Sequence, residues 1–269
     1  MSLVKLNKMI ELIKPTKSRS KPKLLLHTCC ACCATEVYNR LKDNFEVTLF
    51  WYNPNIYPYE EYKRRFNSFI QLASDLDCDS LICHSEAKPK NLTSASSRAP
   101  KGALWAKSRD LLNRSLNRSK HRLQDDKISE IDDYKIDNKK WQSVIAGLEN
   151  EPEGGRRCVK CFEFRLEQTA KVAKENGFDV FTTTLTISPH KNAKIINMIG
   201  KEIAEGICHP EFISGSREML KLVQHDKKDL SFLVADFKKQ DGFKKSIELS
   251  HKHKLYRQSY CGCIYSFRN

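Results

Sequence analysis

Four cysteines lie within five positions, at residues 29–33, directly after an apolar run at residues 24–26. The run is typical of a buried strand, and Val37 and Leu41 follow the cysteines with the spacing of a helix. The stretch is therefore predicted to fold as strand, tight loop and helix. Open α/β sheets place their chemistry at the carboxyl ends of strands, and a helix amino terminus favours thiolate over thiol. We expect this loop to organise the functional site.

The rest of the chain alternates between β-rich and helical segments. Further strands are predicted at residues 45–51, 80–84, 178–185 and 232–235, and helices at 60–76, 141–148, after Cys161, at 193–204 and at 247–253. Such alternation favours a parallel sheet. The predicted fold class is α/β: a Rossmann-like parallel sheet flanked by helices, with a helical C-terminal part and a metal-cluster site at the carboxyl ends of the strands.

Three stretches fit this pattern poorly. Residues 1–22 are predicted to be a basic N-terminal tail, and residues 23–269 a single catalytic α/β domain. Within that domain, residues 85–129 and 208–229 show little apolar periodicity, and such segments bury too little surface to offset their ordering entropy. We expect both to be insertions.

The net charge of +14 suggests contact with nucleic acid, but its position weakens that argument. Residues 1–23 carry seven Lys or Arg against one acid, and residues 88–127 carry eleven against three. These two segments account for the whole surplus, and both are expected to be peripheral. Charge alone therefore supports RNA binding only weakly.

The chain has eleven cysteines, no apolar run long enough to span a bilayer and no signal-peptide pattern. We expect a cytoplasmic protein, where metal binding or redox chemistry explains clustered cysteines better than disulfides do. Isolated Cys78, Cys83 and Cys208 are expected to be small buried apolar residues.

The clustered cysteines exceed the needs of one metal site. Cys158 and Cys161 have the spacing found in both zinc ribbons and iron–sulfur proteins, and Cys261 and Cys263 flank a glycine. Adjacent side chains normally diverge, so Cys29 is not expected to share one ion comfortably with its neighbour Cys30. Because one structural zinc or one cluster takes four ligands, the surplus indicates two metal centres, or one centre plus reactive thiols. A purely structural zinc site is the alternative.

These cysteines stand within longer motifs that occur in order along the chain: HTCCACC at 27–33, NPNI at 53–56, EPEGG at 151–155, CVKC at 158–161, TTTLTISPHKN at 182–192, DFKK at 236–239, DG at 241–242 and YRQSYCGC at 256–263. Together they resemble the cobalamin-independent epoxyqueuosine reductase family, QueH, over residues 23–84, 130–206 and 231–265. The chain departs from that family at Cys32, where proline is usual. We expect Cys32 to be a free extra thiol, with competition as a ligand the alternative.

The resemblance implies reduction of the epoxide of epoxyqueuosine, at the wobble position of tRNA, to the cyclopentene of queuosine. The implied cofactors are a [4Fe–4S] cluster, which supplies electrons, and a second mononuclear iron or other divalent metal, which binds oxygen as a Lewis acid. We expect the cluster on Cys158, Cys161, Cys261 and Cys263, and the second metal on Cys29, Cys30 and Cys33. The alternative is that the cluster takes some of its ligands from Cys29, Cys30 and Cys33. The implied partners are the tRNA substrate and an unidentified electron donor.

Other polar residues are candidates for the remaining roles. His190 is a candidate general acid or a loop histidine at the start of the next helix, and Asp241 and Tyr260 are weaker proton-donor candidates or structural residues. Substrate contacts are expected from Tyr52 by base stacking, from its neighbour Asn53, and from Lys191, Lys238 and Arg257 at tRNA phosphates, although lysines in polar loops are often only solvated.

Two other functions fit part of the pattern. A tRNA sulfur transferase on a nucleotide-binding α/β scaffold would need a glycine-rich phosphate loop, but residues 28–33 contain no glycine. A zinc-stabilised RNA-binding module would use the clustered cysteines structurally. Zinc thiolate sites are colourless, whereas iron–sulfur proteins are brown, so metal content and colour separate the two.

Overall fold

A computed structural model describes residues 21–82, 123–206 and 230–267. Its strands are β1 (Lys23–His27), β2 (Glu46–Trp51), β3 (Ser80–Ile82), β4 (Val180–Thr183) and β5 (Ser231–Phe232). Its helices are α1 (Ala31–Leu41), α2 (Tyr59–Asp75), α3 (Leu123–Val144), α4 (Arg156–Glu175), α5 (Ala193–Ala204) and α6 (Gly242–Lys252). Short 3-10 turns span Thr184–Ile187 and Ile264–Ser266.

The strands form one parallel sheet in the order β3-β2-β1-β4-β5. Strand β1 is central, with Leu24 opposite Val47 of β2 on one side and Val180 of β4 on the other. The chain runs outward from β1 to β3, returns, and runs outward again from β4 to β5. The direction of winding thus reverses between β1 and β4, where open α/β sheets leave a crevice at the carboxyl ends of their strands. The predicted fold class is confirmed.

The sheet is buried on both faces, as its apolar strands predict. Leu24 and Leu26 pack with α1 and α2 in one apolar cluster, whereas Leu25 packs with α4 and α5 in a second cluster. All three leucines are fully buried, and each such side chain contributes about 1.5–3 kcal/mol of transfer free energy. Helix α6 packs against α1 on the first face. The core therefore fixes the ends of β1 and β4 from both sides.

Several predicted elements have different bounds in the structure. The strand predicted over 178–185 is limited to Val180–Thr183, and Thr184 and Leu185 belong to a 3-10 turn. Helix α3 begins at residue 123 rather than 141, because a polar segment can be helical without a strong apolar stripe. Helix α6 begins at Gly242 rather than 247, directly after Asp241 at φ 58°. Strand β5 has two residues rather than four.

Residues 1–20, and both predicted insertions apart from the start of α3 at 123–129, lie outside the described residues. The domain prediction therefore stays a prediction. Within the described helices, none combines the length and hydropathy required to cross a membrane.

Candidate metal centre

Cys29, Cys30 and Cys33 form one compact group, here called the thiol triad, where β1 joins α1. Each of the three sulfur atoms lies within 4.8 Å of the other two. Three thiolates bound to one ion at about 2.3 Å would be about 3.8 Å apart, so small side-chain movements suffice to bring the triad onto a single ion. The expectation that Cys29 and Cys30 diverge is wrong, because Cys30 is extended (φ −163°, ψ 155°) just where the helix begins.

The triad is held by its own backbone and by the neighbouring strand end. Cys30 caps α1, and its sulfur accepts a hydrogen bond from the Cys33 N–H at 3.4 Å. After β4, the Thr184 hydroxyl accepts from the Cys29 N–H at 3.0 Å and donates to the Cys29 sulfur at 3.2 Å. The triad therefore lies at the crevice between β1 and β4.

Proton sharing within the triad favours a thiolate at Cys29. Hydrogen bonds from the Cys30 and Cys33 thiols hold the pKa of Cys29 well below its usual range. The same bonds to Cys29 raise the pKa of Cys30 to about 12 and that of Cys33 well above its usual range. Thiolate is the form that binds metal, so this shift favours the metal-binding form of Cys29.

His27, the last residue of β1, is fully buried beneath the triad and is neutral. Burial, followed by the positive charge of Arg165, lowers its pKa to about 3. Its Nε2 lies 3.2 Å from the Tyr52 carbonyl, which only accepts, so Nε2 carries the proton. Its Nδ1 then accepts from the Thr183 hydroxyl at 2.8 Å. Through its two ring nitrogens, His27 of β1 therefore links the end of β4 to the residue that follows β2.

The remaining clustered cysteines, here called the four-cysteine group, come from two distant segments. Cys158 and Cys161 lie in the first two turns of α4, and Cys261 and Cys263 lie near the end of the chain. Cys161 and Cys263 share a small apolar cluster with Trp141. Within the described residues, only the triad has three Cys, His, Asp or Glu ligand atoms within 4.8 Å of one another.

Buried Arg65 of α2 holds the Cys261–Cys263 segment in place. Its guanidinium donates to the carbonyls of Cys261 at 2.9 Å and Tyr260 at 3.1 Å, while its Nε pairs with Glu61 at 2.7 Å. Gly262, at φ 109°, passes so close that a Cβ there would lie 2.7 Å from the Arg65 Nη1. The glycine between the two cysteines is thus required by a positive φ and a close contact.

Two cations lie between the cysteine groups without a carboxylate partner in the described part of the chain. Burial alone would lower the pKa of half-buried Lys191, but the sulfurs of Cys261, Cys29 and Cys33 outweigh it, so the pKa is raised. Arg165 of α4 is 3% exposed. Sulfur atoms of both cysteine groups thus raise the pKa of the same ammonium. The positive charges of Lys191 and Arg165 favour a site that carries net negative charge.

The other predicted site residues occupy varied positions. Tyr52 and Asn53 are buried, whereas His190 and Asp241 are exposed. The Asn53 amide donates to the Thr28 carbonyl at 2.9 Å and its oxygen accepts from Arg165. Their catalytic and substrate roles stay predictions.

Three further candidates are half-buried. Lys238 donates to the Lys191 carbonyl at 3.0 Å, and Tyr260 lies under the Arg65 guanidinium. Arg257 faces the Phe243 ring, with 6.0 Å between its guanidinium carbon and the ring centroid. Lys238 therefore helps to fix the loop that carries Lys191, and Tyr260 stacks with the residue that holds the four-cysteine group.

Cys32 points away from the triad. Its thiol donates to the Tyr256 carbonyl at 3.2 Å, and burial raises its pKa. It is 3% exposed and is a free cysteine. This placement agrees with the expectation of an extra thiol.

Sequence reasoning missed Arg65, Arg165, His27 and Thr184. Arg165 lies four residues after Cys161 on a helix, a spacing that puts the two on one face, and this was the available signal. Arg65 gives no such signal, since Glu and Arg at i and i+4 normally indicate a solvated helix face.

The chain matches the family model described as "Epoxyqueuosine reductase QueH" over residues 24–102, 108–216 and 214–269. The breaks in this match fall inside the two predicted insertions.

Curated proteins named Epoxyqueuosine reductase QueH are similar over most of their length. One from Streptococcus pyogenes serotype M1 is 30% identical over 93% of this chain and 72% of its own. One from Acinetobacter baylyi is 30% identical over 92% of this chain and 81% of its own. One from Histophilus somni is 31% identical over 92% of this chain and 73% of its own.

Proposed function

The chain belongs to the epoxyqueuosine reductase QueH family, and on that premise we propose that it reduces epoxyqueuosine to queuosine at the wobble position of tRNA. The reaction removes the epoxide oxygen: two C–O bonds break, a C=C bond forms, and the oxygen leaves as water after taking up two protons. Two electrons are required, and the proposed source is a separate electron donor of unidentified class.

The observation that carries the proposal is the meeting of two cysteine groups around two cations at the β1–β4 crevice. Arg165, on the helix that carries Cys161, donates to Asn53, and Asn53 donates to the Thr28 carbonyl beside Cys29. Sulfur atoms of both groups also raise the pKa of Lys191, which supports the view that both groups border one crevice. A reaction that combines electron delivery with removal of an oxygen atom needs this proximity.

The residues fit two different metal centres. The close spacing of the triad suits a single ion, and the four-cysteine group supplies the four thiolates that a [4Fe–4S] cluster takes. When bound, the cluster would supply single electrons and the triad ion Lewis acidity toward oxygen. The four-cysteine group is the proposed cluster site, and the triad the proposed site of the second metal.

The chain's own residues would manage charge and protons around these centres. The raised pKa of Lys191 keeps its Nζ protonated beside the thiolates, so it can neutralise an anionic oxygen of the substrate. His190 precedes it in an exposed loop and is the proposed general acid. Asp241 and Tyr260 are the secondary proton-donor candidates.

The tRNA contacts are proposed around the same loop. Lys191, Lys238 and Arg257 carry positive charge at or beside the crevice and would meet phosphates of the anticodon loop. Tyr52 and Asn53 are buried and would contact only a base that is turned out of the stack into the crevice.

The experiment that tests this proposal uses full-length protein purified without oxygen. Iron and sulfide are quantified, and tRNA carrying epoxyqueuosine is incubated with the protein and a chemical reductant. We expect queuosine among the digested nucleosides by mass spectrometry. Conversion should be lost in Cys161→Ser and kept in Cys78→Ser, which removes an isolated thiol. Zinc without sulfide, together with no conversion, would instead favour the structural RNA-binding module.

A further inference from the structure

Arg165 is a buried cation whose counter-charge is missing from the described protein. It lies in α4, four residues after Cys161, and is 3% exposed. A guanidinium stays protonated at every relevant pH. No carboxylate pairs with it in the described ranges. An unpaired buried charge is strongly unfavourable, so its partner must be another anion.

The hydrogen bonds of Arg165 connect the two cysteine groups. Its Nη2 donates to the Asn53 side-chain oxygen, and the Asn53 amide donates to the Thr28 carbonyl at 2.9 Å. Thr28 directly precedes Cys29 of the triad, whereas Arg165 is on the helix that carries Cys161. Two side chains thus fix the helix of one group against the strand end of the other.

The guanidinium retains an unused donor. Its Nε is buried and has no hydrogen-bond partner among the described residues, although buried donors in native proteins are nearly always paired. Arg165 lies one helical turn after Cys161, so the two side chains share one face of α4. Both the missing counter-charge and the missing acceptor therefore point toward sulfur.

We propose that Arg165 is a positioning residue that holds the two cysteine groups in register through Asn53 and directs its Nε–H and positive charge toward metal-bound sulfur. This inference rests on the proposed function, because the sulfur belongs to the proposed centres. Hydrogen bonds and positive charge near cluster sulfurs stabilise the reduced, more negative state. Arg165 therefore raises the reduction potential of the cluster.

The test measures reduction potentials rather than activity. Wild type, Arg165→Gln and Arg165→Lys are loaded anaerobically with iron and sulfide, and the reduction midpoint of each is determined by EPR-monitored titration. Arg165→Gln should lower the equilibrium constant for reduction at least tenfold, which corresponds to about 59 mV for one electron. Arg165→Lys keeps the charge but loses the planar fork, so it should shift the midpoint less, in the same direction.

Lys171→Gln is the matched control, since Lys171 is an exposed cation on the same helix; its midpoint should equal that of the wild type. If Arg165→Gln fails to fold or to bind iron and sulfide, the reduction midpoint of Arg165→Lys is the deciding measurement. Full loading with an unchanged midpoint in every soluble Arg165 variant would overturn the inference alone. A wild type that binds neither iron nor sulfide would overturn the proposed function, and this inference with it.

Discussion

The two cysteine groups reach one crevice by different routes. The triad comes from five consecutive residues, and its geometry follows from a strand end, a helix cap and one threonine. The four-cysteine group joins residues 158–161 to residues 261–263, about 100 positions apart, and depends on buried Arg65 to fix the later pair. The comparison shows that one site is built by local structure and the other by tertiary structure.

This difference has a consequence for stability. The triad geometry should persist whenever the sheet is folded, because β1 is its central strand. The four-cysteine group should be lost whenever the C-terminal segment detaches, even if the sheet survives. Segments with few buried contacts open locally at lower cost than the core does.

The largest predicted effect is a difference in turnover between substitution of Cys29, in the triad, and substitution of the adjacent extra thiol, Cys32. Cys29→Ser removes a proposed ligand of the triad ion, so turnover should fall by more than the roughly 10–100-fold typical of losing an outer-shell partner. Cys32→Ser should retain most turnover, since Cys32 bonds the Tyr256 carbonyl instead. Initial rates of queuosine formation at matched protein concentration measure both. Equal losses would mean that Cys32 is a ligand.

The second prediction concerns the tertiary support of the four-cysteine group. Arg65→Met leaves buried Glu61 without its cation, although the Tyr256 hydroxyl still donates to it, and frees the carbonyls of Tyr260 and Cys261. The free energy of unfolding should therefore fall by about 3–5 kcal/mol. Arg40→Met is the matched control: Arg40 pairs with Glu36 at the same 2.7 Å and the same i,i+4 spacing, but is more exposed. Arg40 also donates to the Lys239 and Gln240 carbonyls, but its side chain is 19% exposed against 2% for Arg65. Because solvent screens a more exposed pair, Arg40→Met should lower the free energy of unfolding less than Arg65→Met does.

Urea unfolding of both metal-free variants gives these values. Limited proteolysis of Arg65→Met should cut first near residue 260 while leaving the sheet intact. Equal destabilisation by the two substitutions would contradict the view that buried Arg65 anchors the C-terminal segment.

The third prediction is a pH dependence of the metal-free protein at His27. Folded His27 has a pKa of about 3, below the ordinary value of 6.5, so between these values the unfolded chain binds one more proton than the folded chain. The contribution of His27 to the free energy of unfolding is therefore fully present above about pH 6.5. It falls by about 1.4 kcal/mol per pH unit as the pH drops toward 3.

Unfolding free energies at several pH values test this directly. His27→Gln keeps a side chain able to hydrogen-bond and should remove this component of the slope. A slope unchanged by the substitution would show that His27 is not the group responsible.

Much of the architecture could be predicted because it depends on local pattern. Buried strands β1 and β2 are apolar runs, and α5 begins at Ala193, directly after Asn192, whose side chain caps it. The start of α3 could not be predicted in this way, because residues 123–140 are mostly polar and the helix has no apolar stripe that sequence periodicity can detect.

The site could be predicted only in part, for a related reason. Cysteines are informative by identity and spacing, so both groups were found. Arg65 and Arg165 look like ordinary helix-surface arginines, and their burial is decided by which elements pack on them. Tyr52 and Asn53 are predicted from sequence to contact substrate, but their burial depends on tertiary packing, which local sequence does not show.

The most direct test of the two-site account is the iron and inorganic sulfide content of anaerobically loaded wild type, Cys29→Ser and Cys161→Ser. The account predicts that Cys29→Ser keeps its sulfide and brown colour and loses about one iron per chain, the single ion of the triad. It predicts that Cys161→Ser loses colour and sulfide. Loss of sulfide and colour in both variants to the same extent would show that the two cysteine groups share one cluster, and would contradict the division between them.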